Sequence, residues 1–145
     1  MDNSQIGILL IEHDIDDAKM TIRALRKNNL ANRLIHMMDG EEALDFLFST
    51  GKFTGRNADL KPGLILLDLK MPKVDGIEVL ERIKSNEDTK KIPVVILTLS
   101  KEDPDMSRCC GLGANSYIVK PVDFGGFVKA VAELGMYWML LDHPY

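Results

Sequence analysis

Cysteine is scarce in this chain of 145 residues, which has only two, the neighbours Cys109 and Cys110. Adjacent residues of a helix point their side chains in different directions, so a disulfide between these two is not expected. Buried, reduced thiols are the expected state. The scarcity argues for a reducing compartment and against a secreted scaffold held together by disulfides.

Long apolar runs and an excess of positive charge are also missing. No stretch approaches the ~20 apolar residues that a membrane span requires, and residues 1–5 lack the basic and apolar parts of a secretory signal. The formal net charge of -4 and the pI near 5.3 leave no basic surface for nucleic acid. We therefore expect a cytoplasmic protein that binds neither membrane nor nucleic acid directly.

The size and composition are those of an ordinary globular protein. A chain of 145 residues and 16.3 kDa buries roughly two thirds of its unfolded surface, which is enough for one self-sufficient core. Apolar residues make up 46% and charged residues 28% of the sequence, so the chain is neither disordered nor membrane-embedded in character. The prediction is a single domain over residues 1–145.

Four apolar runs each end in polar residues. Continuous apolar runs are typical of strands covered on both faces in a parallel sheet, and such sheets bind ligands beyond the carboxyl ends of their strands. A lone Asp is more often a cap, and a lone Thr or Lys is usually solvated, but four coincident strand ends predict a site. The runs are 6–11 before Glu12, His13 and Asp14, 64–67 before Asp68, 92–97 before Thr98, and 117–119 before Lys120 and Pro121.

Helical patterns separate these runs. Strand and helix alternate five times with short connections, which predicts an α/β fold with an open, doubly wound parallel sheet. The remaining predicted elements are a helix capped by Asp16 and Asp17 and ending near Lys27, a strand over 33–38, a helix from Asp39 and Gly40 to 48, a loop over 51–63, a helix after Asp75 and Gly76, a helix from Pro104 to about Gly111, and a last helix from Phe124 to about Leu141.

The predicted strand ends bring several carboxylates close to one lysine. Close acids repel each other unless a cation lies among them, so the pattern suggests a divalent metal, and Mg²⁺ prefers oxygen ligands. Asp68 can then serve as a nucleophile that forms an aspartyl phosphate. Lys120 and Thr98 supply the ammonium and the hydroxyl that neutralise charge on a phosphoryl group.

Three segments together resemble the receiver domain of the two-component response regulator family, over nearly the whole chain. Residues 68–72 with Asp75 and Gly76 resemble its phosphoacceptor segment, Leu97-Thr98 its switch threonine, and Lys120-Pro121 its lysine before a cis-proline. The resemblance implies a flavodoxin-like fold of (βα)5 type with a five-stranded parallel sheet in the order 2-1-3-4-5. It also implies Mg²⁺-dependent transfer of a phosphoryl group to Asp68 from a sensor histidine kinase or a histidine phosphotransfer protein. Slow self-hydrolysis, rather than enzymatic turnover of a substrate, would follow.

The resemblance assigns further roles to individual residues. The metal ligands it implies are Glu12, Asp68 and the backbone carbonyl of Lys70, and the cis-proline is Pro121. Thr98 and Tyr117 are expected to reorient together on phosphorylation, although Tyr117 also suits an ordinary half-buried strand position.

A narrower likeness connects the chain with stand-alone regulators that serve phytochrome-type sensor kinases. It rests on residues 39–47, the long loop before Asp68 and the aromatic tail over 141–145. Such proteins carry no output domain and act by docking to other proteins, often as dimers.

His13 departs from the family pattern, which has a second metal-binding acid at this position. Imidazole is a poor ligand for Mg²⁺ and suits Zn²⁺, Ni²⁺ or Cu²⁺ better. Three outcomes are open: Asp14 supplies the missing carboxylate, Glu12 alone holds a weaker Mg²⁺, or the site binds hardly any metal. Weakened Mg²⁺ binding is preferred because Asp68, Thr98 and Lys120 are all present.

The segment 136–141 is apolar all round rather than along one stripe. It either folds back as core or forms a partner surface, since tryptophan and tyrosine are favoured interface anchors. The second interpretation predicts a homodimer.

Three functions fit these observations. The first is a phosphoacceptor switch in two-component signalling, whose output is contact with another protein. The second is a phosphorylation-independent adaptor that is disabled as a receiver by His13. The third is a metal-dependent phosphatase, which normally has a second acid two residues after its nucleophile, where this chain has Lys70.

Overall fold

The computed structural model describes residues 7–26, 34–57 and 60–136. Five strands alternate with five helices along the chain, as the sequence predicts, with one short 3-10 helix in the loop before the third strand. The elements are β1 (Ile8–Ile11), α1 (Ile15–Arg26), β2 (Leu34–Met37), α2 (Gly40–Phe48), the 3-10 helix (Gly51–Phe53), β3 (Leu64–Asp68), α3 (Gly76–Lys84), β4 (Val94–Thr98), α4 (Asp105–Gly111), β5 (Ser116–Val119) and α5 (Phe124–Glu133).

The five strands form one parallel sheet in the order β2-β1-β3-β4-β5. This is the predicted flavodoxin-like arrangement, and the predicted fold class is confirmed. Ile11 pairs with Leu67, and Thr98 pairs with Val119. The carboxyl ends of β1, β3, β4 and β5 therefore lie at one edge of the sheet.

Alternate residues of each strand point to opposite faces, so the core has two layers. Leu9 and Ile11 pack with α2, α3 and α4 on one face, whereas Ile8 and Leu10 pack with α1 and α5 on the other. The central strands β1, β3 and β4 are buried at every position, which explains their unbroken apolar runs.

The start of α1 differs from the prediction that Asp16 and Asp17 cap it. The helix begins at Ile15, so the residue in the capping position is Asp14. Its Oδ1 accepts hydrogen bonds from the backbone amides of Asp16 at 2.9 Å and Asp17 at 3.0 Å. The capping carboxylate must precede the first helical residue, because only there can it reach the free amides of the first turn.

The end of α5 also differs, since the sequence pattern predicts a helix to about Leu141. The helix ends at Glu133, and Gly135 adopts a φ of 70°. The amide of Gly135 donates to the carbonyl of Ala132, and that of Met136 donates to the carbonyl of Val131. This is the helix termination that glycine favours.

Part of the predicted partner surface can be located. Met136 is 7% exposed and packs in the core beneath α1 and α5, as the core interpretation expects, whereas residues 137–141 lie outside the described part of the chain.

Both cysteines are free; Cys109 is buried as predicted, and Cys110 is exposed, contrary to prediction, because the two point apart on α4. Within the described ranges, no helix has the length and apolar character needed to cross a membrane.

Candidate functional site

The polar residues at the strand ends converge as the parallel sheet requires. Asp68 and Thr98 are the last residues of β3 and β4, and Glu12 and Lys120 directly follow β1 and β5. Glu12, Asp68 and Lys120 continue the alternate positions that face α1 and α5, where Leu10, Leu66 and Ile118 lie. Three residues separated by up to 108 positions in sequence therefore share one corner of the molecule.

The ammonium of Lys120 is the centre of this corner. Its Nζ lies 2.8 Å from Glu12 Oε1 and 3.0 Å from Asp68 Oδ1, with only 9% of the lysine side chain exposed. Burial by itself would lower the pKa of Lys120, but the contacts with Glu12 and Asp68 outweigh burial, and the net pKa lies above its usual value. Lys120 is therefore a permanent positive charge beside Asp68.

The surroundings of Glu12 favour its neutral form, whereas those of Lys120 favour the charged form. Its side chain is fully buried, its Oε1 forms an ion pair with Lys120 rather than an aligned hydrogen bond, and its Oε2 accepts from the amide of Asp14 at 3.1 Å. Burial, followed by the nearby carboxylate of Asp68, raises the pKa of Glu12 to about 7 despite the lysine. The corner thus holds more negative charge than Lys120 alone can neutralise.

The two carboxylate oxygens of Asp68 have different neighbours. Oδ1 faces Lys120 and also accepts from the amide of Lys70 at 3.3 Å. Oδ2 lies 3.2 Å from Nδ1 of His13, whose side chain is 44% exposed. The partly exposed imidazole therefore contacts the carboxylate of Asp68, a residue that is itself only 3% exposed.

Thr98 lies at the neighbouring strand end, but its hydroxyl is engaged locally. Oγ1 donates to the carbonyl oxygen of Ser100 at 3.0 Å and accepts from the amide of Ser100 at 3.3 Å. The amide of Lys120 donates to the Thr98 carbonyl at 2.7 Å, which joins the ends of β4 and β5. Tyr117, two residues before the end of β5, is 41% exposed.

Asp17 is a member of the cluster that sequence reasoning missed. Its Oδ2 lies 3.3 Å from Lys120 Nζ, which makes it the third carboxylate on that lysine. It stands in the first turn of α1, five residues after Glu12, and a site composed only of strand ends does not include it. Asp14 was a candidate ligand, but the structure places its carboxylate on the amides of α1, and these hydrogen bonds, that of Asp17 first, lower the pKa of Asp14.

The loops around the corner are held by further polar contacts. The ammonium of Lys70 lies 2.6 Å from Asp105 and 3.8 Å from Asp103, so the loop after β3 is tied to the start of α4. The bond with Asp105 raises the pKa of Lys70. The peptide bond between Lys120 and Pro121 is cis, the isomer that the family resemblance implies.

The donor atoms of this corner suit a divalent cation. A nitrogen of His13 and carboxylate oxygens of Glu12 and Asp68 all lie within 4.8 Å of one another. Among the residues that the structure describes, no other group of three or more acidic, histidine or cysteine side chains has this proximity. Two carboxylates with a raised pKa on one of them mark a place where added positive charge would be stabilising.

Comparison with known proteins finds a matching family model and several similar proteins. The family model for the response regulator receiver domain matches residues 8–132. The chain resembles the bacteriophytochrome response regulator RtBRR, with 45% identity and a TM-score of 0.86 over 97% of this chain and 84% of that one. It is 39% identical to the probable methanogenesis regulatory protein FilR2 of Methanothrix harundinacea over 91% of this chain and 83% of the relative.

A third relative is the response regulator Rcp1 of Synechocystis, which is 36% identical over 91% of this chain and 88% of its own length. The Mn²⁺-bound form of Rcp1 superposes with a TM-score of 0.74 at 35% identity, over 97% of this chain and 99% of that one. The strand order of the sheet agrees with these similarities. The chain belongs to the response regulator receiver domain family.

Proposed function

We propose that this chain is a phosphoacceptor switch of two-component signalling, with Asp68 as the residue that carries the phosphoryl group. The observation that supports it most is the buried ammonium of Lys120, 3.0 Å from Asp68 Oδ1 at the carboxyl edge of the sheet. Receiver domains in general are signalling rather than catalytic proteins, and they interact with histidine kinases or phosphotransfer proteins.

The chemistry follows from the surroundings of Asp68. A carboxylate oxygen of Asp68 attacks the phosphorus of a phosphohistidine, the phosphorus–nitrogen bond breaks, and the departing imidazole keeps the electron pair. Lys120 offsets the negative charge on the phosphoryl oxygens, and Thr98 is the hydroxyl that senses the group once it has arrived. Water later attacks the phosphorus, the phosphorus–oxygen bond to Asp68 breaks, and inorganic phosphate leaves the free carboxylate behind, which is a slow self-hydrolysis.

A divalent cation belongs to this proposal. Receiver domains bind Mg²⁺ or Mn²⁺ at an acidic pocket, and here Glu12, Asp68 and the backbone carbonyl of Lys70 would hold it. When bound, the ion would neutralise charge on the transferred group. Because Asp14 is occupied by α1 and His13 replaces the second acid, we expect weaker binding of Mg²⁺ than a site with two adjacent acids would give.

His13 imposes a further requirement on transfer. It contacts Oδ2 of Asp68, and that carboxylate is almost inaccessible to solvent. We expect that a phosphoryl donor that approaches Oδ2 displaces the side chain of His13. Because His13 is partly exposed, this movement needs no rearrangement of the core.

The output of the switch is contact with another protein. Three large apolar side chains near the end of β4 and on β5 are exposed: Leu99 by 76%, Tyr117 by 41% and Val119 by 41%. Exposed apolar side chains of this kind are favoured contact points for partners. We expect Thr98 and Tyr117 to change orientation on phosphorylation and so alter this surface, for a partner protein or a second copy of the chain in the cytoplasm.

One alternative has support of its own. The imidazole of His13 against Asp68, in place of a metal-binding acid, is compatible with an adaptor that uses the receiver fold without being phosphorylated. The two functions differ in whether Asp68 can be modified at all.

Phosphorylation by acetyl phosphate tests the proposal directly. The full chain is treated with acetyl phosphate and Mg²⁺, Mn²⁺ or Co²⁺ in parallel samples, and intact mass spectrometry should find one added phosphoryl group that is lost on incubation. Asp68→Asn should abolish the adduct, whereas Asp88→Asn, at an exposed acid between α3 and β4, should not. Absence of the adduct from the wild-type chain with all three metals would reject phosphorylation and favour the adaptor.

A further inference from the structure

His13 lies where a cation bound to the phosphorylation site would meet it. Its Nδ1 is 3.2 Å from Asp68 Oδ2, and both atoms are within 4.8 Å of a carboxylate oxygen of Glu12. The corner thus offers one nitrogen and two oxygen ligand atoms from three side chains. The side chain of His13 is 44% exposed, whereas those of Glu12 and Asp68 are buried, so an ion from solvent meets His13 first.

The distance between two of the ligand atoms is compatible with a bound transition metal. Metal bonds to nitrogen and oxygen of about 2.0–2.2 Å place neighbouring ligand atoms about 3.0–3.4 Å apart in octahedral or tetrahedral geometry. The distance of 3.2 Å between His13 Nδ1 and Asp68 Oδ2 falls within that interval. The two atoms are therefore close enough for one ion to contact both side chains.

The chemistry of the donor set favours some ions over others. Mg²⁺ is a hard cation that takes oxygen ligands, and a nitrogen in its first coordination sphere is unfavourable. Imidazole suits Co²⁺, Ni²⁺, Cu²⁺ and Zn²⁺, whose affinities for mixed nitrogen and oxygen sites exceed that of Mn²⁺. The neighbouring acid that could have replaced His13 is Asp14, and its carboxylate is held by the amides of α1.

We propose that the cation site of this receiver selects a divalent transition-metal ion of the Co²⁺ to Zn²⁺ group over Mg²⁺, with His13 Nδ1 as a direct ligand beside Glu12 and Asp68. The inference deepens the proposed function, since it concerns the cation site of the same corner. It separates this chain from a receiver with two adjacent acids, whose ligands are all oxygen. Metal supply, as well as phosphoryl supply, would then set the state of the switch.

Direct metal binding tests the inference without any phosphoryl donor. Full-length protein free of purification tags is titrated with Mg²⁺ and with Co²⁺ by calorimetry, and the visible absorption of Co²⁺ reports its coordination. Nitrogen ligation is read from the hyperfine coupling of bound Cu²⁺ in electron paramagnetic resonance. Wild-type protein should bind Co²⁺ at least about tenfold more tightly than Mg²⁺, since even the loss of a residue that only supports a metal ligand changes affinity by 10–100-fold.

Two variants of His13 and one control variant test whether the preference for Co²⁺ depends on His13. His13→Asp should raise the affinity for Mg²⁺ and remove the nitrogen signature, and His13→Gln, which adds no charge, should lower the affinity for Co²⁺ by at least about tenfold. His36→Gln is the matched control, because His36 Nε2 contacts the carbonyl oxygen of Glu12 at 2.7 Å and glutamine can still donate a hydrogen bond there. This control should keep the preference for Co²⁺. Circular dichroism confirms that each variant is folded.

The inference is overturned if wild-type protein binds Co²⁺ no more tightly than Mg²⁺, or if the nitrogen signature persists in both His13 variants. Its failure and that of the proposed function are separable. A chain that is phosphorylated on Asp68 but lacks the His13-dependent nitrogen signature refutes only the metal preference. A chain that binds Co²⁺ through His13 but is never phosphorylated on Asp68 refutes only the phosphoacceptor role.

Discussion

Replacing Lys120 with methionine removes the one ammonium that contacts both Glu12 and Asp68 within the described part of the chain, while keeping an apolar side chain of similar length. The two carboxylates are 0% and 4% exposed, so water cannot take over the role of the ammonium. Removing one partner of a buried ion pair costs about 3–5 kcal/mol, because the remaining charge stays buried without compensation. We expect a loss of this size in the free energy of unfolding at pH 8, out of a total of about 5–15 kcal/mol for a domain.

The loss should depend on pH through Glu12. The pKa of Glu12 is raised from 4.5 to about 7 in the folded protein, so between these values the folded state binds more protons than the unfolded state. The associated stability is present below pH 4.5 and is lost as the pH rises through about 7. The Lys120 contact lowers this pKa, so its removal raises the pKa further. The cost of Lys120→Met should therefore be smaller near pH 5, where Glu12 is protonated in both folded proteins, than at pH 8.

Urea unfolding at pH 5 and pH 8 in buffer with a chelator measures this difference. Lys84→Met is the matched control, because the Lys84 ammonium donates to the carbonyl oxygens of Lys90 at 3.1 Å and Ile92 at 2.8 Å rather than to carboxylates. Its cost should be the same at both pH values. An equal cost of Lys120→Met at pH 5 and pH 8, or no cost at pH 8, would refute the assignment of Lys120 as the counter-charge of this corner.

Two further predictions concern the approach to Asp68. A Cβ at Gly76 would lie 2.4 Å from the carbonyl oxygen of Asp68, so Gly76→Ala should lower the free energy of unfolding by about 1–3 kcal/mol through overpacking, as measured by urea unfolding. The control Gly125→Ala, whose added Cβ would have only ordinary contacts, should not lower it. Equal effects of the two substitutions would contradict the close approach at Gly76. Asp17→Asn removes one of the carboxylates that contact Lys120, which leaves more of the lysine charge for an incoming phosphoryl group. Because Asp17 is partly exposed, the increase in rate should be modest. Phosphorylation of Asp68 by acetyl phosphate, followed by mass spectrometry, should become faster by up to about fivefold. An unchanged or slower rate would contradict this.

Much of the architecture could be predicted from local patterns. The unbroken apolar run before Asp68 predicts a strand buried on both faces, and β3 is buried at every position. The Asp-Gly pairs predict where α2 and α3 begin, and Asp39 and Asp75 cap these helices there by accepting hydrogen bonds from amides three residues later. These features depend on the preferences of a few adjacent residues, which the sequence displays directly.

Element ends were harder to predict because they depend on single backbone conformations. The apolar pattern continues past Glu133 towards Leu141, yet the left-handed conformation of Gly135 ends α5. Whether a glycine ends a helix depends on the packing of the next residue, here the burial of Met136 in the core. The position of the α1 cap, at Asp14 rather than at Asp16 and Asp17, has the same origin in where the backbone becomes helical.

The sequence by itself determined that Glu12, Asp68, Thr98 and Lys120 stand at the same edge of a parallel sheet, because that requires only strand direction and strand ends. Only the tertiary structure decided which of the nearby polar groups touch. Asp17 reaches Lys120 from a helix, and His13 turns towards Asp68 while Asp14 turns away. The physical reason is that these contacts depend on strand register and on the packing of α1 against the sheet, which are set by the whole core rather than by neighbours along the chain.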